Sequence, residues 1–216
     1  QLGTASAGGS LTLADAANID GNFSVLNGGS TTLTLTNQTL PFSGTDFNLT
    51  NLDTFTATGS TVVFDGTSQN LIGASQTLNN LTISGTVTAG TSDVSVSGTL
   101  TVDATKQLTI DTSRTLTMSA GSTTTINGTI TGSGTLTLVD TAGANLGTGG
   151  TLSSVVRFNA ATANVTVPAR TYGGQVEFYN NTATNYTFTL GTAASQTLTF
   201  SSSFNPRADS TGNVTV

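Results

Sequence analysis

From Thr99 to Ile130 the chain repeats itself every eight residues: TLTVDATK, QLTIDTSR, TLTMSAGS and TTTINGTI follow one another without a gap. Val102, Ile110, Met118 and Ile126 fall in one column, and Thr101, Thr109, Thr117 and Thr125 in another. A constant beat of this kind asks each unit to meet the same surroundings as the last, which is the condition of a stacked repeat architecture. Within a beat the apolar residues stand two apart, as in Leu100 with Val102 or Leu108 with Ile110. Side chains two apart share one face of an extended strand, so the threonines between them face the other way.

Period-two runs extend over most of the chain: Leu11 with Leu13, Leu33 with Leu35, Val94 with Val96, Leu136 with Leu138, Val165 with Val167, and Tyr186 with Phe188 and Leu190. About a third of the residues are Thr or Ser and 25 are Gly. β-branched Thr and Val suit a pleated surface, and the gaps between runs carry the Gly, Asn, Asp and Ser that accept turn conformations. No window has an apolar stripe at helical spacing, Ala14 to Asn18 being the weak exception. The expectation is about twenty short strands in one continuous domain spanning residues 1–216, without a linker. Two longer echoes, Ala74-Ser-Gln-Thr-Leu78 with Ala194-Ser-Gln-Thr-Leu198 and Gly98-Thr-Leu-Thr-Val102 with Gly134-Thr-Leu-Thr-Leu138, add to the evidence for repetition.

Two architectures accept the beat. In a β-solenoid each beat forms one side of a coil and equivalent residues stack in ladders. In an antiparallel sandwich, with strands exchanged between subunits, each beat is a strand and a tight turn. Asn127-Gly128 and Asp65-Gly66 are hairpin signals, but Ala104-Thr105-Lys106 and Thr112-Ser113-Arg114 lack the Gly that a two-residue primed turn wants. The solenoid is the first expectation and the sandwich the alternative.

Composition excludes several functions. With five basic and eleven acidic residues the net charge is −6, so a nucleic-acid backbone is not an expected partner. No run approaches the roughly 20 apolar residues of a membrane-spanning helix, so membrane insertion is not expected. With no Cys and no His there is neither a disulfide framework nor a Ser-His-Asp or Cys-His nucleophile system. No metal or other cofactor is expected; calcium, which oxygen ligands could hold, lacks a recognisable loop motif here.

The run from Val62 to Gly85, VVFDGTSQNLIGASQTLNNLTISG, resembles the Thr- and Gly-rich repeat units of large bacterial cell-surface proteins, the stalks of adhesins and autotransporter passengers. Residues from about Thr61 to the end share that character. The resemblance implies a β-helical extracellular rod at the cell surface and brings no catalytic residues with it. Polysaccharide hydrolases and lyases also use parallel β-helices, but they need paired carboxylates. Here Glu177 is the sole glutamate and the aspartates are scattered. Asp103 and Asp111 are the one pair that stacking could bring together; turn capping is the simpler role for them, with Lys106 and Arg114 as exposed ion-pair partners. No enzymatic activity is expected.

The functional expectation is therefore a structural subunit or segment of an extracellular filament, joined end to end to copies of itself or to flanking repeats. Its interface residues would be Val214, Val216, Phe200 and Phe204. The alternative is a carbohydrate-binding adhesin module that uses Tyr172, Tyr179 or Tyr186. Aromatic residues gather at both ends of the chain, with none between residues 65 and 157, where they would fill wide coils or meet the next unit. Asn-x-Ser/Thr sequons at Asn22, Asn37, Asn48, Asn80, Asn127, Asn164, Asn180, Asn185 and Asn213 are candidate glycosylation sites.

Overall fold

A computed structural model describes residues 8–15, 17–26, 30–143, 146, 149–180, 182–191, 197–208 and 214–215. The chain is a three-sided β-solenoid of about eight turns. Every strand pairing recorded in its sheets is parallel, as between Thr99–Val102 and Thr123–Ile126. The antiparallel sandwich is thereby excluded. Apart from one short 3-10 turn, Asp140–Gly143, the described residues contain no helix, and Ala14, Asp15, Ala17 and Asn18 are in none; Ala16 lies outside the described residues.

The first face stacks Thr39–Phe42, Thr61–Phe64, Asn80–Ile83, Thr99–Val102 and Thr123–Ile126. The second runs from Phe23–Ser24 through Gln107–Ile110 to Thr151–Leu152, and the third from Thr77–Leu78 through Thr115–Met118 to Phe204–Ala208, seven strands each. Shorter sheets take over these positions towards the ends. Gly9–Leu13, Thr31–Leu35 and Thr54–Thr56 precede the third face, and Val165–Val167, Tyr186–Leu190 and Val214–Thr215 follow the first.

The eight-residue columns do not stack directly, contrary to the simplest expectation. Val102, Ile110 and Met118 lie on three successive faces of one coil, and only the fourth member, Ile126, returns to sit against Val102. Three beats of eight make one turn of 24 residues. Other coils are shorter: Leu81 pairs with Leu100, 19 residues on, and Leu116 with Leu136, 20 residues on. Corners lengthen and shorten while the strands keep register, because a slip by one residue would turn every apolar side chain out to water.

Leu100, Val102, Leu108, Ile110, Leu116 and Met118 are all fully buried. The interior departs from Leu at Thr124, which occupies the Leu100 position. Thr124 is buried and its hydroxyl donates to the carbonyl of Ala142 in the 3-10 turn. The middle coils are filled by aliphatic side chains. The early coils hold Phe23, Phe42, Phe47 and Phe64, packed at ring separations from 5.1 to 5.7 Å. Space filling, not contact with another molecule, accounts for those rings.

The corners explain the turn residues. Lys106 N–H closes a turn onto Asp103 C=O, Arg114 onto Asp111, and Ser122 onto Ser119. In each the third residue is left-handed: Thr105 at φ 67°, Ser113 at 61° and Gly121 at 79°. One left-handed residue per turn suffices to redirect a strand by a third of a coil, so the Gly-rich pair of a hairpin is not required. Asn127-Gly128, read as a hairpin signal, is a corner between parallel strands. A Cβ on Gly128 would collide with the carbonyls of Asp103 and Lys106 in the preceding coil, so glycine is there for close approach. Asp65-Gly66 also joins parallel strands.

Candidate functional site

At the last coil the inward-facing rank meets water. Leu190 is in register with Val167 and Phe204 with Val176. Val167 and Val176 are fully buried, whereas Leu190 is 42% exposed and Phe204 40%. Phe200, in register with fully buried Tyr172, is partly exposed. Its ring stacks on Tyr172 at 5.8 Å and meets Phe204 at 5.4 Å. These side chains have the orientation of core residues, and no further strand among the described residues covers them. Among the described residues, Thr199–Phe200, Phe204–Ala208 and Val214–Thr215 each have a strand neighbour on one side only. The first coil mirrors this: Leu11 and Leu13 are partly buried, while their register partners Leu33 and Leu35 are covered.

Of the interface residues expected from the sequence, Phe200 and Phe204 are therefore brought together on this end surface. Val214 pairs with Tyr186, and Val216 lies outside the described residues.

Beside the end surface, the outer side of the third face carries a polar ladder that period-two reading passed over. Arg157 Nε donates to Glu177 Oε2 at 2.7 Å, joining strands in register. The Arg157 and Arg207 guanidinium groups lie 5.0 and 5.7 Å from the Tyr179 ring. Glu177 is buried, so Arg157 supplies the charge partner that a buried carboxylate requires. The sequence signal was faint: Arg157, Glu177, Tyr179 and Arg207 stand at outward positions of three strands, in two neighbouring rows of the register.

The tyrosines expected to bind sugar do not form a platform. Tyr172 is fully buried, and its hydroxyl donates to Pro168 C=O; burial pushes its pKa far up, against the pull of the nearby Arg170 charge. Tyr186 spends its hydroxyl on Ala161 C=O, and Tyr179 is engaged by the two arginines. Arg170 is itself inside, donating to the carbonyls of Leu146, Gly149 and Gly150, and desolvation lowers its pKa.

Asp103 and Asp111 follow strands of different faces and occupy different corners of one coil, so they do not stack. Asp103 accepts from the Ser84 hydroxyl of the preceding coil and forms no ion pair with Lys106. Asp111 likewise forms none with Arg114; among the described residues the ion pair is Arg157 with Glu177. No group of three or more His, Cys, Asp or Glu side chains is assembled there, and no described helix is long and apolar enough to cross a membrane.

Several sequon asparagines have structural duties. Asn22 Oδ1 accepts from Thr45 and Asp46 N–H, Asn80 Oδ1 from Thr99 N–H and Asn164 Oδ1 from Thr187 N–H, each reaching into the next coil. Asn48 caps Thr50 N–H locally. Asn37, Asn127 and Asn185 are exposed, Asn37 with a left-handed backbone. Asn180 is fully buried and bonded to Thr182 and Thr184, so the folded chain cannot present it to a glycan; Asn213 lies outside the described residues. The chain matches no protein-family model, no curated protein and no solved structure.

Proposed function

We propose that the chain is a structural segment of an extracellular β-helical rod, extended end to end by further coils of the same kind. Those coils come from a second copy or from flanking repeats of the same polypeptide. The observation that carries this is the stack itself, about eight turns of parallel strands that repeat one coil on the next, with Leu190, Phe200 and Phe204 inward-facing but part-exposed in the last described coil. Unpaired strand edges pair readily with another chain, and a head-to-tail contact that does not close gives a filament. Covering a large apolar side chain contributes roughly 1.5–3 kcal/mol. The bacterial surface-stalk character of Val62 to Gly85 supports a cell-surface location, and nothing in the site calls for catalysis.

Sedimentation velocity over a concentration series, with electron microscopy, tests the proposal. Rods that lengthen with concentration and shorten in Phe204→Glu are expected if copies supply the next coil. If flanking repeats supply it, the isolated chain stays monomeric and a chain carrying its native neighbours forms one continuous rod. A monomer whose neighbours fold as separate bodies would reject the proposal.

A further inference from the structure

On the third side of the solenoid the backbone ladder is broken inside the stack. Thr54–Thr56 ends one sheet and Thr77–Leu78 begins another, and the two are not hydrogen-bonded as strands. Between the same two coils the other sides are continuous: Thr39–Phe42 pairs with Thr61–Phe64 on the first, and Asp46–Asn48 with Gln69–Ile72 on the second. Side chains reach across the break. At one end Gln76 Nε2 donates to Leu52 C=O at 2.6 Å, and at the other Asn79 Oδ1 accepts from Gly59 N–H at 3.2 Å. A cleft of about 200 Å³ opens at the Asn79 end, lined also by Phe55, Thr56, Thr77 and Ser97. Phe55 has the inward direction of Leu33, its register partner, which is 1% exposed, yet Phe55 is only partly buried. The core is loosened on this side of the coil.

Two further features mark the place. The turn into the break closes from Gln76 N–H onto Gly73 C=O, and the two residues between, Ala74 at φ 50° and Ser75 at φ 66°, are both left-handed. Strain of this kind, in residues with a Cβ, gathers at switch regions. The corner between the first and second sides, opposite the break, is by contrast tight. A Cβ on Gly44 would collide with Gly21 C=O, one on Gly66 with Ser43 C=O, and one on Gly85 with Gly66 C=O. Successive coils therefore meet backbone to backbone along that corner. It has the form of a fulcrum: rotation about it changes the coil spacing most on the third side and least at the corner itself.

We infer that the rod has a bending joint of fixed direction between these two coils. The third side opens and closes between Thr54–Thr56 and Thr77–Leu78, while the first and second sides stay paired and turn about their glycine-lined corner. Opening on the third side breaks no strand ladder, since none joins the two coils there, and the rotatable side chains of Gln76 and Asn79 follow the movement. Opening on either other side has to break ladder bonds, such as Leu49 N–H to Ile72 C=O and Thr61 N–H to Gln38 C=O. Hinges are commonly a few residues at element ends that absorb the change in backbone angles; here they are Gly73 to Gln76. The joint belongs to these coils and needs no second copy. In the rod proposed above it fixes the direction in which the segment yields to a sideways load.

Distances between paired spin labels, measured by double electron–electron resonance, test the joint. The chain has no Cys, so labels attach only where cysteine is introduced. One pair, Thr34→Cys with Thr117→Cys, crosses the break on the third side; the other, Ser24→Cys with Thr109→Cys, lies on the second side, and each spans four coil steps. The third-side distribution is expected to be broader than the second-side one by roughly 2–3 Å, half a strand spacing. Gln76→Ala combined with Asn79→Ala, which removes both bridges, is expected to broaden it further and lengthen its mean, with the second-side distribution unchanged. Comparison of the two sides with both bridges intact decides even if that variant fails to fold. Equal widths on the two sides overturn the inference, whether both are narrow or both are broad, because a joint of fixed direction has to separate them. A third-side distribution indifferent to loss of the bridges in a folded variant overturns it too.

Discussion

Asp140 has the most demanding position of any carboxylate among the described residues. It is buried, and its backbone is left-handed at φ 49°. Its Oδ1 accepts from the N–H groups of Ala161, Thr162 and Ala163, and its Oδ2 from the Thr162 hydroxyl. Burial works to raise its pKa, but the Thr162 hydroxyl and the three N–H groups outweigh it and hold the carboxyl below its ordinary value. A carboxyl with a depressed folded-state pKa stabilises above its unfolded value, and that stability is lost as pH falls through the folded value. Asp140→Asn is therefore expected to cost about 2 kcal/mol at neutral pH, the worth of hydrogen bonds to a charged group. The deficit should hold down to about pH 4 and narrow below it, as followed by urea unfolding at several pH values. A deficit independent of pH would mean that shape, not charge, is what the loop needs. Asp53, lowered by hydrogen bonds from Thr31 N–H and hydroxyl, would keep its own acid response in the variant. None of this was legible locally. The sequence around Val139-Asp140-Thr141 resembles any other strand end, and the groups that define the site come from residues 21 to 23 positions away.

At the scale of the corner, low charge is arranged as well as scarce. Registers carry Asp20 onto Ser43, Asp65, Ser84, Asp103 and Asn127 in successive coils along the edge of the first face. Acidic and neutral residues alternate, and the Ser43 and Ser84 hydroxyls donate to Asp20 and Asp103. Neighbouring coils are about 4.8 Å apart, so adjacent carboxylates in this column would repel by roughly 1 to 3 kcal/mol. Ser84→Asp would put three in a row, Asp65, the new residue and Asp103. It is expected to lower stability by about 2 kcal/mol at low ionic strength, with much of the loss recovered in high salt; a Ser84→Asn control should change little. Equal melting temperatures for Ser84→Asp and wild type in low salt would refute the repulsion. The alternation is written in the sequence, but it can be read only once coil length is known. The eight-residue beat established strand, inward column and solenoid, because those depend on period two. It left open how many beats close a coil, since corners of variable length break the phase outside residues 99–130. It also left Asn127-Gly128 looking like a hairpin, because dipeptide chemistry cannot tell a primed turn from a glycine that makes room for a neighbouring carbonyl.

Along the whole rod each strand pairs only with the coil before and the coil after. Stability is then close to a sum of coil terms and nearest-neighbour terms, and the molecule can come apart in sections. Met118 is the place to ask whether it does. It is fully buried at mid-stack, in register with Val96 on one side and Leu138 on the other. Met118→Asp places a charge there with no partner and is expected to cost several kcal/mol. In a one-dimensional stack the damage should stay near the lesion. Hydrogen exchange should lose protection over residues 94–139, while the early coils keep most of theirs, held together by the interlocked rings of Phe23, Phe42, Phe47 and Phe64. Thermal unfolding, if single in the wild type, should split into two transitions, the later one belonging to the aromatic section. The competing outcome is uniform loss of protection from residue 31 to residue 180 with a single lowered transition. That would mean the continuous apolar axis couples the coils more strongly than their paired edges suggest, and the rod would unfold as one cooperative body.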